Sequence, residues 1–365
     1  MKKACLILLI SIMTAHFTYA QNQLVPLFVG TYTSKGGSKG ISSYLFDQVT
    51  GNYDLISEVE TPNPSFLART DKFLVAVNEL GDGNQSISSF NLADETLTFE
   101  NKVSTKGGAP CHVLLGDKGR YAVVSNYSGG SLALFSIDEN GHISEMDDYR
   151  EFKGSSVDPK RQSKSHIHSA FMGPDKSIYV SDLGADMIYV FDVVKDGTKY
   201  QFKEKESIAV TKGGGPRHIA FHPKGKTMYS LQELTGDIVV FKKEKKSWKQ
   251  SQIINMNSAD FKGQHGAADL KISPDGKFLY STNRTDANTV SVFAIKRDGF
   301  LELKQVISAL GTGPRNLNIT PNGKYVLVAN QLTDQIVVFA RDLKSGLLRD
   351  HGRRIELSKP VCIIF

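Results

Sequence analysis

Short apolar runs alternate with polar turns along most of the chain, and no repeat spaces its apolar positions at the helical period. One unit recurs instead. It opens on proline or a small residue, runs through an apolar strand to a tight turn, and returns in a second strand ending in Asn or Asp. A third strand then closes on an aromatic residue. The clearest copies are Gly215 to Phe241, Gly266 to Phe293 and Gly313 to Phe339. Their turns are Pro223-Lys224-Gly225-Lys226, Pro274-Asp275-Gly276-Lys277 and Pro321-Asn322-Gly323-Lys324. Such turns are hairpin signals, because proline presets φ and glycine supplies a positive φ.

Two columns count the units. The closing aromatics are Tyr44, Phe90, Phe135, Phe191, Phe241, Phe293 and Phe339, spaced 45 to 56 residues apart. The strand openers are Pro64, Pro110, Ile167, Pro216, Ala267, Pro314 and Pro360. Seven members in each column, at that period and with several strands per unit, predict an all-β, seven-bladed β-propeller of four-stranded antiparallel blades. Helical solenoids are excluded.

The ends sharpen this. The chain stops at Phe365, just after Pro360 opens a strand, whereas Leu27 to Tyr32 and Ile41 to Phe46 read as second and third strands. The N- and C-terminal strands are therefore expected to share one blade, closing the ring and removing its exposed edges.

Residues 1–20 read as an export signal: Lys2 and Lys3, an apolar core from Leu6 to Met13, and small residues around Thr18-Tyr19-Ala20. The apolar run is short for a membrane span. The expected organisation is a signal peptide at 1–20 and a single propeller domain at 21–365. The mature protein is expected to be periplasmic or secreted, monomeric and free of the membrane after cleavage.

Charge narrows the partners. The formal net charge of +6 falls to +4 without Lys2 and Lys3, with 42 basic residues against 38 acidic. That mild excess suits a small anionic ligand. No basic stripe with interleaved aromatics appears, so no nucleic acid is expected. Cys111 and Cys362 lie in apolar strand patterns of different repeats, as buried thiols rather than a disulfide framework.

Propeller topology converts columns into a site. Each inner strand starts at one face and the second strand returns to it, so two columns should ring one mouth of the central channel. The first is Ser65, Cys111, His168, Arg217, Ala268, Arg315 and Val361. The second is Glu79, Tyr127, Leu183, Glu233, Arg284 and Gln331, with Thr31 as the nearest equivalent in the split blade. The preceding Asn78, Asn126, Asp182, Asn283 and Asn330 are expected to cap turns. Structural positions tend to repeat, whereas His168, Arg217, Glu233 and Arg284 differ chemically and come from three successive blades. Their convergence points to a ligand site. The long irregular stretch Glu151 to Ser165 carries Lys160, Arg161, Gln162 and Lys164 toward the same mouth. Arg161, Arg315, Tyr127 and Glu79 are the candidate substrate-binding residues, and the ligand is expected to be an anionic small molecule.

Other motifs carry less. His166-Ile167-His168 has the alternation of a metal pair, but nearby arginines would repel a cation and no third ligand is placed. Gly213-Gly214-Gly215 lacks the strand–helix unit of a phosphate loop. No Gly-x-Ser-x-Gly nucleophile elbow is present.

Several segments together carry a family likeness: Phe28-Val29-Gly30-Thr31-Tyr32, Asn78-Glu79, Ser125-Asn126-Tyr127, Arg161-Gln162, His166-Ile167-His168-Ser169, Asp182-Leu183-Gly184-Ala185-Asp186, Gly215-Pro216-Arg217-His218 and Glu233-Leu234. Over nearly the whole mature length the chain resembles the lactonase family of seven-bladed propellers. That family includes propeller-type 6-phosphogluconolactonases and fungal carboxy-muconate lactonizing enzymes. The resemblance implies lactone chemistry with no cofactor and no metal. It implies a catalytic set of His168 (or His166), Arg217, Glu233 and Arg284. His168 would take a proton from the attacking water, and Arg217 and Arg284 would hold an anionic group and the developing oxyanion. Glu233 would orient the histidine or an arginine, or relay a proton to the leaving oxygen. Two other readings stay open: lactonization or isomerisation of a muconate-type diacid, and a non-catalytic propeller that binds a partner. His168 together with Glu233 counts against the second. An export signal also sits badly with a cytoplasmic sugar-phosphate lactone, so either the substrate is another lactone or the protein has kept the scaffold and changed its task.

Overall fold

Strand Pro360–Ile364 pairs with Leu24–Thr31, which continues through Gly40–Asp47 to Tyr53–Glu60, and this four-stranded sheet closes a ring with six others of the same antiparallel order. The computed structural model describes residues 23–365. The expected export signal lies outside them. Blades one to six have inner strands opening at Phe66, Pro110, Ile167, Pro216, Ala267 and Pro314, and the split blade is the seventh. Among the described residues, no helix is long and apolar enough to cross a membrane.

The aromatic column explains the ring's packing. Each of its seven members lies on a third strand and is at most 4% exposed. Each of the seven interblade clusters includes one member, as Phe339 does beside Tyr280 and Val328. Burial of one such ring contributes roughly 1.5–3 kcal/mol. Cys111 and Cys362 are both free and buried.

The strand-two Asn and Asp residues cap turns as expected. Asn78 Nδ2 donates to Thr61 Oγ1 and to the Pro62 carbonyl, and Asn330 Nδ2 to the Ala309 carbonyl. Asp182 accepts the backbone N–H groups of His166, Gly184 and Ala185.

One irregularity recurs where it matters for the channel. Six of the seven inner strands carry a register shift beside their opening residue. In blade four, Pro216 faces Gln232 while Ile219 faces Ser230, so the inner strand holds one extra residue. A bulge of this kind re-aims side chains. Here it turns successive residues, such as Arg217 and His218, toward the channel at two depths.

Candidate active site

The loop that reaches the mouth is folded on two acidic residues. Asp158 Oδ1 accepts the N–H groups of Lys160 and Arg161, making a tight turn. Asp186 then ties the loop to blade three. Its carboxylate accepts from Gln162 Nε2 at 2.7 Å and from Ser156, and also from the N–H groups of Gly213 and Gly215. Gly184 permits the approach, since a Cβ there would sit 1.8 Å from the Lys164 carbonyl oxygen. The irregular stretch therefore has a fixed course, and it delivers Arg161 to the channel.

At the mouth lies a cavity of about 480 Å³ lined by Arg161, His168, Glu233 and Arg284 on one side and by Glu79 and Arg315 on the other. The first side is built around one carboxylate. Glu233 Oε1 lies 2.7 Å from Arg161 Nη2, and Oε2 lies 2.8 Å from Arg217 Nε and 3.2 Å from Arg284 Nη2. Burial alone would raise the pKa of Glu233. Arg284 and Arg217 outweigh it and, with Arg161, hold the carboxyl well below the usual carboxylate range. Burial pulls Arg284 down to about 9 despite the neighbouring carboxylate, which leaves it charged at neutral pH.

His168 sits against this cluster with Nε2 3.9 Å from Glu233 Oε2, beyond hydrogen-bonding distance. Burial first, then Arg217, holds the imidazole well below its ordinary pKa, so it is uncharged at neutral pH. Its Nδ1 is buried without a partner. An uncharged imidazole beside guanidinium groups can accept a proton from water.

The opposite side has the same residue types in another ratio. Tyr32 OH donates to Glu79 Oε2 at 2.7 Å and accepts from Arg315 Nη2 at 2.8 Å. Arg315 also lies over the Tyr32 ring at 5.3 Å and 3.9 Å from Glu79. The first side holds three guanidinium groups for one carboxylate, an excess of two positive charges. The second holds one for one. Four arginines against two glutamates leave the mouth with a net +2, all of it on the side of blades three to five.

The sequence candidates divide accordingly. Arg161, His168, Glu233, Arg284, Arg315, Tyr127 and Glu79 line one cavity. Arg217 stands behind it, 3% exposed, its Nε on Glu233 and its Nη1 on the Ala268 carbonyl. His166 lies outside the cavity lining, stacked on Tyr127 at 4.5 Å with Nδ1 on the Tyr127 carbonyl. Leu183 is wholly buried. The split-blade position corrects by one residue: Thr31 is buried and bonded to Ser38 and the Gly40 carbonyl, and Tyr32 takes the mouth position. The bulge at Gly30/Thr31 accounts for the slip. Sequence reasoning also gave no role to Asp186, although the Asp-Leu-Gly-Ala-Asp run that ends on it stood out. Among the described residues, no group of three or more His, Cys, Asp or Glu is placed to hold a metal ion.

A family model described as the lactonase seven-bladed β-propeller matches residues 26–365. A 6-phosphogluconolactonase of Formosa agariphila is 34% identical over 333 residues, covering 88% of this chain and 94% of that protein. A solved structure of a candidate 6-phosphogluconolactonase from Bacteroides fragilis superposes with a TM-score of 0.88 at 36% identity, covering 94% of this chain and 98% of that one. The periplasmic gluconolactonase of Pseudomonas aeruginosa superposes at 0.87 with 33% identity, covering 93% and 98%.

Proposed function

The chain belongs to the lactonase family of seven-bladed β-propellers, and on that footing we propose that it hydrolyses an anionic sugar-acid lactone at the channel mouth. The observation that carries this reading is an uncharged His168 beside three arginines that share one carboxylate.

The chemistry follows from those groups. His168 takes a proton from water as the water oxygen bonds to the lactone carbonyl carbon. Arg284 and Arg161 face the cavity and stabilise the oxyanion that forms. The bond from the carbonyl carbon to the ring oxygen then breaks, and His168 returns the proton to that oxygen, giving the open hydroxy acid. Glu233 serves as the anchor that sets the arginines. Held ionised by them, it does not carry the proton. Guanidinium groups supply the positive charge, so the reaction needs no metal, and activity in the presence of a chelator checks this.

Charge also selects the substrate. A phosphate monoester carries close to two negative charges at neutral pH, which matches the excess of two on one side of the mouth. The balanced Tyr32, Glu79 and Arg315 side offers partners for sugar hydroxyls. A phosphorylated aldonolactone, of the kind named for the F. agariphila relative, is therefore the preferred substrate. The P. aeruginosa relative is a periplasmic gluconolactonase, which supports reading residues 1–20 as an export signal.

The test is an opening assay with 6-phosphogluconolactone and glucono-δ-lactone, each corrected for spontaneous hydrolysis. Turnover of both, with kcat/KM at least about tenfold higher for the phosphorylated lactone, is expected. No rate above the spontaneous one on either substrate overturns the proposal.

A further inference from the structure

Beneath the mouth, the channel holds a second layer that the mechanism above does not use. Phe66, His112, Phe171 and His218 pack ring against ring there, with centroids 4.1–5.9 Å apart. Among them sits Asp269, wholly buried. An ionised carboxylate in such a place costs several kcal/mol unless it is paired and hydrogen-bonded.

Asp269 is fully engaged. Oδ1 lies 2.8 Å from His218 Nδ1 and accepts the Leu270 N–H, and Oδ2 accepts Asn316 Nδ2 at 2.6 Å and the Leu317 N–H. Lys271 Nζ approaches Oδ1 at 3.6 Å. Because Asp269 accepts, the His218 proton sits on Nδ1, which leaves the Nε2 lone pair free. Arg217 Nη1 points at that Nε2 from 3.4 Å. Arg217 in turn donates through Nε to Glu233. A continuous chain thus runs from Asp269 through His218 and Arg217 to the carboxylate on which the arginines of the mouth converge.

Two features set this chain apart from ordinary core filling. The bulge in blade four turns both Arg217 and His218 toward the channel, one at the mouth and one below. Elsewhere the layer holds Phe66, an uncharged His112 and Cys362 on the other inner strands. The residues that Asp269 gathers, His218 and Asn316, lie with it on the successive inner strands of blades four to six, and they meet the site through Arg217 and through the His218 ring, edge-on to His168 at 5.5 Å.

We propose that Asp269 and His218 are positioning residues that aim Arg217 at Glu233 and so set the arginines that receive the substrate's anionic group. This rests on reading the mouth as the lactone site. Neither residue touches substrate. Asp269 fixes the imidazole tautomer, and the tautomer presents an acceptor that holds the far end of the Arg217 guanidinium, a planar group with no freedom to turn once both ends are bound.

The experiment compares His218→Leu and His218→Gln with the full-length wild type, on phosphorylated and unphosphorylated lactone. His218→Leu removes the acceptor and is expected to raise KM for the phosphorylated lactone at least tenfold. The kcat/KM for the unphosphorylated lactone, which meets the same arginines only through its oxyanion, should fall by a factor at least about threefold smaller. His218→Gln restores an acceptor and should recover most of the loss. In an Arg217→Lys background, His218→Leu should add less than twofold. Equal losses on both lactones, or full additivity with Arg217→Lys, would overturn the relay. Long-range 1H–15N spectra give a readout independent of activity, and they decide the relay even if the wild type opens no lactone and the functional proposal fails. The wild-type His218 should show the Nδ1-protonated tautomer, and Asp269→Leu, which removes the acceptor, should abolish that preference. An Nε2-protonated or charged His218 in the wild type contradicts the proposal.

Discussion

Two basic cavities open at opposite ends of this propeller, and only one has the makings of a site. The far cleft, between the turns of blades four and five, is the larger at about 550 Å³ against 480 Å³ at the mouth. It is also the more positive. Lys224, Lys226, Lys242, Lys243, Lys277, Lys296 and Arg297 face only Asp275 and Asp298, an excess of five. Yet five of its cations are exposed on turns. The two others are already occupied: Lys243 pairs with Asp175, and Lys242 donates to the Asp298 carbonyl. Flexible, hydrated ammonium groups gain little from an added anion. At the mouth the cations are arginines, pinned to a buried carboxylate and set beside an uncharged imidazole. Net charge and volume favour the far cleft, whereas preorganisation favours the mouth, and catalysis follows preorganisation.

The largest expected effect removes both ends at once. Val361, Cys362 and Ile363 are at most 2% exposed and complete the inner strand of the closing blade. Each buried Val or Ile contributes roughly 1.5–3 kcal/mol, and with the edge exposed the loss approaches the whole stability of a typical domain, about 5–15 kcal/mol. A chain ending at Leu357 should therefore show no cooperative thermal transition above room temperature. Full retention of the wild-type Tm would refute the ring closure.

Next in size is His168→Asn, which leaves the arginines in place and removes the proposed base. The kcat should fall about 10²- to 10⁴-fold while KM for the phosphorylated lactone changes little. An unchanged kcat would return the mouth to the same standing as the far cleft.

Acid separates the buried histidines from the exposed lysines. His112, His168 and His218 are each held well below their ordinary pKa, with burial as the largest cause. The unfolded chain takes up their protons first, so stability present above about pH 6.5 is lost as pH falls toward the folded values. Each histidine costs up to about 1.4 kcal/mol per pH unit in that window. Between pH 7.5 and 5.5 the Tm should drop by roughly 5 °C or more. The acid limb of kcat/KM should lie well below pH 6.5, because His168 stays unprotonated until then. A limb centred at pH 6.5 or above would show a solvated, ordinary histidine.

The smallest effect tests the balanced half of the mouth. Tyr32→Phe removes one hydroxyl between Glu79 and Arg315, with an expected loss of about three- to tenfold in kcat/KM. The loss should be similar for phosphorylated and unphosphorylated lactone. A loss confined to the phosphorylated one would move the anion subsite to Arg315.

What could be read from the chain, and what could not, follows the same division. The ring was legible because its devices repeat: seven aromatics, seven strand openers, and capping Asn or Asp residues such as Asn78 and Asp182. Residues at the mouth were legible as the columns that fail to repeat, which is how Glu233 and Arg284 came into view. Three placements were hidden. Tyr32 was missed by one residue because the bulge beside Thr31 shifts the count. Arg217 was expected to face substrate and instead stands behind Glu233, a matter of depth in the channel that spacing along the chain does not encode. The pairing of His218 with Asp269 joins strands 51 residues apart within the core, where two polar residues in apolar strands give no sign of one another.

The central claim is that fixed arginines, not positive charge as such, make the mouth a site. Its most direct test removes one cation at each end, Arg284→Ala at the mouth and Lys277→Ala in the far cleft, and measures kcat/KM for 6-phosphogluconolactone. A loss of about 10²- to 10³-fold at the mouth, with less than twofold at the far cleft, is the predicted result. Comparable losses at both ends, or none at the mouth, would contradict it.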